Sequence, residues 1–288
     1  MFSLIRKKQS EQIPAIKEVS ANIIAVWSPY GADTSSYSYY LAKDMSNYTH
    51  TALIELPCLG IPRLSVSSGI KDRDNHVEAI IIEFEKKRYI NMERLTKKSD
   101  TLAILPAGYY AVPDSPVVNK VEQETLIDFP AFMINAARNN GYQQVIFECQ
   151  GQLSNPMTFY ILKKADFVLI PIEKPSEVAF ALINLKRLLH VYEYEDKKFK
   201  IIALENEETL ADTMVILDDD GKQIGKPDVF PGEIRQVLAL VGIEGLPQFK
   251  EEKGIVLKKL FQHGQTLQKN EEPMETEETE KNQKTIRI

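Results

Sequence analysis

The stretch Ser28-Pro29-Tyr30-Gly31-Ala32-Asp33-Thr34-Ser35-Ser36 carries the residue types that hold an anion at the start of a helix. A helix N-terminus presents unpaired N–H groups and the positive end of its dipole. The hydroxyls of Ser35 and Ser36 add donors beside them. Asp33, Thr34 and Ser35 are equally the residue types that cap a helix. The stretch has one glycine and no lysine, so it departs from the G-x-x-x-x-G-K-[ST] phosphate loop. Two readings stand: a turn that accepts phosphate through amides and hydroxyls, and a capped helix after an ordinary turn. Elsewhere there is little chemistry. Cys58, Cys149 and four scattered His give no metal-ligand spacing and no nucleophile–base arrangement. Both cysteines read as small packing residues, and His190 as structural or exposed.

The elements that position this turn form a repeating strand–helix pattern. Short apolar runs at Asn22–Trp27, Thr51–Leu56, Asp100–Leu105, Gln144–Glu148, Asp166–Ile170 and Phe199–Leu204 read as strands. They are continuous rather than alternating, as strands covered on both faces are. Pro106 and Pro171 mark the expected ends of the third and fifth. Between them, Thr34–Tyr48, Ile127–Asn139, Asn155–Lys164 and Ser176–Tyr192 read as helices. The alternation predicts right-handed βαβ units and an α/β fold, a three-layer α/β/α with a mostly parallel, doubly wound sheet. Thr213–Pro227 reads as a β-hairpin turning at Asp219-Asp220-Gly221. Pro231–Val241 and Glu252–His263 read as further helices, and Leu246–Phe249 as a last short strand.

Composition bounds the rest. The chain has 288 residues, 35 Lys+Arg against 41 Asp+Glu, and a net charge of −6. The acidic balance argues against whole-surface nucleic-acid binding. No run of apolar residues is long enough for a membrane span, and the basic start lacks a signal-peptide core. A cytoplasmic protein is the expectation. The expected organisation is an extension over 1–20, an α/β domain over 21–264 and a disordered acidic tail over 265–288, where glutamates dominate.

Three spaced segments resemble the MinD/ParA family of deviant Walker P-loop ATPases, in the branch that includes the pilus-assembly proteins CpaE and TadZ. Val26–Ser36, followed by Leu41-Ala42, aligns with the family's phosphate loop and the helix after it. Ala52–Gly60 aligns with its second strand motif. Val145-Ile146-Phe147-Glu148-Cys149-Gln150-Gly151 aligns with the Walker B pattern I-I-I-D-x-P-x-G. Leu102–Gly108 and Ala165–Pro171 fit two further family strands. The resemblance covers roughly residues 20 to 250. It implies a P-loop NTPase fold, and a nucleotide site at Gly31, Thr34, Ser35, Ser36, Glu148 and Gly151, with Ser35 as the Mg²⁺ hydroxyl if ATP binds.

The departures from the family pattern decide what that site implies. Pro29 stands at the signature lysine and Thr34 at the Walker lysine. Pro57 stands at the second aspartate of the second motif, and Glu148 at the Walker B aspartate. Tyr30 and Asp33 replace loop glycines. Phosphoryl transfer depends on neutralising developing charge, so these losses point away from hydrolysis and from a bound cofactor. The resemblance then implies a pseudo-ATPase that positions or assembles a pilus, secretion or conjugation machine through protein partners. The alternative is an ATP-dependent dimerising switch in which Arg63 or Lys71 supplies the missing cation. A third reading is a partition-type DNA-binding accessory protein using Lys86-Lys87-Arg88 and Arg94–Lys98. The family's face-to-face dimer could be kept through Tyr30, Tyr37, Tyr39 and Tyr40, although Tyr37 and Tyr40 also suit a core stripe. The helix Glu252–His263 could pack on the sheet or lie on a membrane.

Overall fold

The computed structural model describes residues 22–29, 32–57, 62–108, 117–174, 198–204, 216–217, 223–225 and 229–243. In chain order the elements are β1 (Asn22–Trp27), α1 (Thr34–Met45), β2 (Thr51–Glu55), α2 (Leu64–Ser68), α3 (Val77–Lys87), β3 (Thr96–Lys97), β4 (Leu102–Leu105) and α4 (Gln123–Asn139). They continue with β5 (Gln144–Cys149), α5 (Pro156–Lys164), β6 (Phe167–Ile172), β7 (Phe199–Ala203), β8 (Ile216–Leu217), β9 (Gln223–Gly225), β10 (Val229–Pro231) and α6 (Ile234–Leu240).

Eight strands form one sheet in the order β10-β7-β6-β1-β5-β2-β4-β3. Every pairing is parallel except β3 with β4. The chain leaves β1 towards β2 on one side and later crosses from β5 to β6 on the other. That reversal opens a crevice at the carboxyl ends of β1 and β5, where doubly wound sheets bind ligands.

The apolar strand runs are legible because the sheet is covered on both faces. Side chains alternate between them. Ile23, Ala25, Trp27, Ala52 and Ile54 face one core with α3, α4 and α5. Ile24, Val26, Leu53, Ile146 and Leu169 face the other with α1 and α6. Thus residue 148, two on from Ile146, points to the side of α1.

The structure corrects several sequence expectations. Pro171 does not end its strand: β6 runs to Ile172. Pairing with β1 stops at Leu169 while pairing with β7 continues, so a position without an N–H is tolerated. The helices α2 and α3 and the edge strands β3 and β10 are additions to the expected pattern. α4 begins at Gln123, four residues before the expected start. Of the hairpin expected over 213–227, the antiparallel pair β8–β9 is described, while its turn at Asp219-Asp220-Gly221 lies outside the described residues. The extension 1–20, the tail 265–288, the helices 176–192 and 252–263 and the strand 246–249 lie outside the described residues.

Gly232 joins β10 to α6 at a close approach. A Cβ there would fall 2.4 Å from the Ala203 carbonyl oxygen. Gly232→Ala is therefore expected to destabilise the fold by roughly 1–3 kcal/mol, since backbone must move. A urea midpoint equal to that of the parent protein would show that the junction yields freely.

Candidate functional site

β1 carries the chain to the crevice and α1 starts just beyond it. Ser28 Oγ accepts from the Ala32 N–H (3.2 Å). Asp33 is the N-cap of α1, its carboxylate accepting from the Ser36 N–H at 3.1 Å. The Asp33 N–H itself donates to Glu173 Oε1, just past the end of β6 (3.3 Å). Thr34 and Ser35 are buried in the first turn. Both donate their hydroxyls to Glu148 Oε1, Thr34 at 2.9 Å and Ser35 in a very short contact. Ser36 Oγ lies 3.2 Å from Ser67 Oγ on α2.

A second carboxyl stands beside the first. Glu55, the last residue of β2, is the register partner of Glu148 on β5. Both are almost fully buried. Glu55 accepts from the backbone N–H groups of Ala107 (2.7 Å), Arg63 (3.2 Å) and Leu64 (3.5 Å). Those donors favour its charged form, but burial and the neighbouring Glu148 outweigh them and push its pKa up to about 8. Glu148 is also raised, by burial, against the pull of the Ser35 and Thr34 hydroxyls. Its Oε2 is buried without a hydrogen-bond partner. Burial, then Glu148, raise the Cys149 thiol well above its usual range, so Cys149 is no nucleophile.

Of the site residues named from the sequence, the fold brings Thr34, Ser35 and Glu148 into direct contact. Ser36 is held at the first turn by its backbone. Gly151 lies against β1: a Cβ there would sit 2.8 Å from the Ser28 carbonyl oxygen. Gly31 and Tyr30 lie outside the described residues. Tyr37 belongs to the buried cluster under α1, its hydroxyl without a partner and its pKa raised by burial. Tyr40 is exposed and packs its ring 5.7 Å from that of Tyr39. Arg63 reaches the site: its Nη2 is 3.4 Å from Thr34 Oγ1. Lys71 is exposed. In the basic stretches, Lys87 and Arg94 both pair with Glu83 (2.7 Å each), and Arg88 pairs with Asp128. These cations are partly spent on neighbouring carboxylates.

Sequence reasoning missed Glu55, whose signal was a lone acid at the end of an apolar strand. It also missed a cleft of about 610 Å³ on the other face of the sheet, lined by Pro57, Leu126, Gln150, Gly151 and Asn155 among others. Asn155 caps α5 there through the Met157 N–H (2.9 Å), and Gln150 Nε2 donates to the Leu56 carbonyl (3.0 Å).

Several donors that a nucleoside triphosphate would meet at the start of α1 are engaged within the chain. The amides of Asp33 and Ser36 and the hydroxyls of Thr34 and Ser35 already bond to carboxylates of the chain. An incoming phosphate would meet Asp33 and Glu173 at the same points. No cluster of three His, Cys, Asp or Glu able to hold a metal occurs among the described residues.

The architecture is that of the ParA/MinD P-loop NTPases. The chain is similar to the structure of the MinC:MinD cell division complex from Aquifex aeolicus, at 14% identity over 78% of this chain and 79% of that one, with a TM-score of 0.50. It is also similar to a plasmid partition protein from Borrelia burgdorferi (13% identity, 64% of this chain and 78% of that chain, TM-score 0.49). An ATP complex of McdA from Cyanothece gives 11% identity, 78% and 92% coverage and a TM-score of 0.49. At these identities the likeness is one of fold. No protein-family model matches the sequence, and no curated protein matches it.

Proposed function

We propose that the protein is a non-hydrolysing MinD/ParA-like positioning or assembly factor. It acts through protein–protein contacts, as a homodimer or with the parts of a pilus, secretion or conjugation machine, in the cytoplasm or at the inner face of the membrane. The observation that carries this reading is the engagement of Thr34 and Ser35 by Glu148. The hydroxyls of Thr34 and Ser35 are turned inward, and the residue in the lysine position is a threonine. Neither position aligned with a family lysine carries a lysine in this sequence, and phosphoryl transfer depends on positive charge there. The cellular role itself rests on the resemblance to the CpaE/TadZ branch. Among the described residues, no helix is long and apolar enough to cross a membrane.

One observation favours a second reading, the ATP-dependent switch. Arg63 places a guanidinium at the hydroxyl of Thr34. Calorimetric titration with ADP and a non-hydrolysable ATP analogue, with Mg²⁺, separates the two. The first reading expects no heat and a mass by light scattering that is the same with and without nucleotide. Micromolar binding that Arg63→Ala abolishes, with dimerisation that needs nucleotide, would replace it by the second.

A further inference from the structure

We infer that the cleft on the face of the sheet away from α1 receives an uncharged, extended peptide segment of a partner protein, with one apolar side chain seated against Leu126 and Val121. The inference rests on the positioning reading and deepens it by naming the chemistry of the partner.

The cleft, of about 610 Å³, lies beyond the carboxyl ends of β2 and β5 and beside the starts of α4 and α5. Its size falls within the ~300–1,000 Å³ of sites that enclose a ligand. One wall is the turn from Gln150 to Asn155, and bonds to the elements around it fix its shape. Gln150 Nε2 donates to the Leu56 carbonyl (3.0 Å), and Trp27 Nε1 donates to the Gly151 carbonyl (3.3 Å). Thr158 Oγ1 donates to the Gln150 carbonyl (3.4 Å), and the Asn155 N–H to the Gln152 carbonyl (3.2 Å). The wall therefore stands before a ligand arrives, and binding spends little on ordering it.

The lining selects against charge. None of the described residues that line the cleft is charged. A charged ligand would give up hydration there without a counter-charge. The start of α5 offers an anion no free amide. Pro156 has no N–H, Asn155 Oδ1 accepts from the N–H groups of Met157 (2.9 Å) and Thr158 (3.3 Å), and the Phe159 N–H bonds to the Asn155 carbonyl. Glu122 and Glu124 flank Gln123 at the start of α4 and oppose an anion further. Gln123, Gln150 and Gln152 bring carboxamides, each both donor and acceptor, which is what peptide N–H and C=O groups need. Beside them, Pro57 and Leu126 are buried and Val121 half-buried, an apolar seat for a side chain. No aromatic ring occurs among the described lining residues, so a nucleobase has no face to stack on.

The test titrates three capped tripeptides, acetyl-Gly-X-Gly-amide with X leucine, glutamate or lysine, into the isotopically labelled 288-residue chain. The side-chain amide resonances of Gln150, Gln152 and Asn155 are followed by NMR. The leucine peptide is expected to give saturable shifts there and to bind at least about tenfold more tightly than either charged peptide. Gln152→Glu places a carboxylate in the cleft from an exposed position. It is expected to keep the melting temperature of the parent and to weaken the leucine peptide at least about fivefold. No saturable shift, a charged peptide that binds as well as the leucine one, or a Gln152→Glu variant with the affinity of the parent would each overturn the inference. The nucleotide titration is a separate reading. Nucleotide-dependent dimerisation would replace the positioning role, whereas a protein inert to nucleotide that also ignores the three peptides would lose only the role of the cleft.

Discussion

Raising the pH from about 5 to about 9 is expected to cost the folded protein several kcal/mol of stability. The cost is about 1.4 kcal/mol for each pH unit over which the fold holds one proton that the unfolded chain has released. The main cause is Glu55. Its carboxyl ionises near 4.5 in the unfolded chain and near 8 in the fold, where burial and Glu148 oppose the charge. The resulting stability is fully present below about 4.5, declines as the pH rises, and is gone once it passes about 8. Glu148 moves the same way and adds to the slope. Glu55→Gln is expected to flatten that slope. The amide oxygen can still accept from Arg63 and Leu64, while the bond from Ala107 is lost. That loss lowers the plateau by about 1 kcal/mol without restoring the slope. Urea midpoints across the pH range give the answer. A variant that keeps the full slope of the parent would remove Glu55 as its source.

Trp27→Ala is expected to cost about 3–5 kcal/mol, a large part of the ~5–15 kcal/mol that holds an ordinary domain folded. The indole is fully buried at the end of β1, in the cluster that includes Phe147, Met157 and Ile161. Its Nε1 donates to the Gly151 carbonyl at 3.3 Å, so it joins the end of β1 to the turn after β5. Trp27→Phe keeps most of the apolar volume and gives up that bond, at about 1 kcal/mol. Denaturation followed by circular dichroism separates the two contributions. Equal losses in both variants would mean that the cavity left by alanine collapses.

Strands buried on both faces announced themselves in the sequence. Runs such as Asn22–Trp27 and Gln144–Cys149 are dominated by apolar residues because each face meets helices. β3 and β10, of two and three residues, carry no such signal. α3 escaped because its Ile80-Ile81-Ile82 run is β-branched, which periodicity alone does not assign, and because its cap is a histidine. Within the site, Thr34, Ser35 and Glu148 could be paired on paper only through the resemblance to a family. Arg63 is legible only as one of two candidate cations, and Glu55 is not legible as a site residue, since its role depends on which residue the sheet register sets opposite it. Asp33 was visible as a cap, but Glu173 was not: its approach is made by the crossing from β5 over β1 to β6, which no local pattern encodes.

Trp27 is the sole tryptophan of the chain. Its emission is therefore a one-position optical record taken beside the Gly151 turn. Quenching or a spectral shift on mixing with a nucleotide, an anion or another protein, while the fold stays intact, would mark a disturbance at the β1–β5 junction. Silence during a genuine association would direct attention to surfaces remote from the crevice. Without any label, the molecule carries a dye of its own at the place where its function is in question.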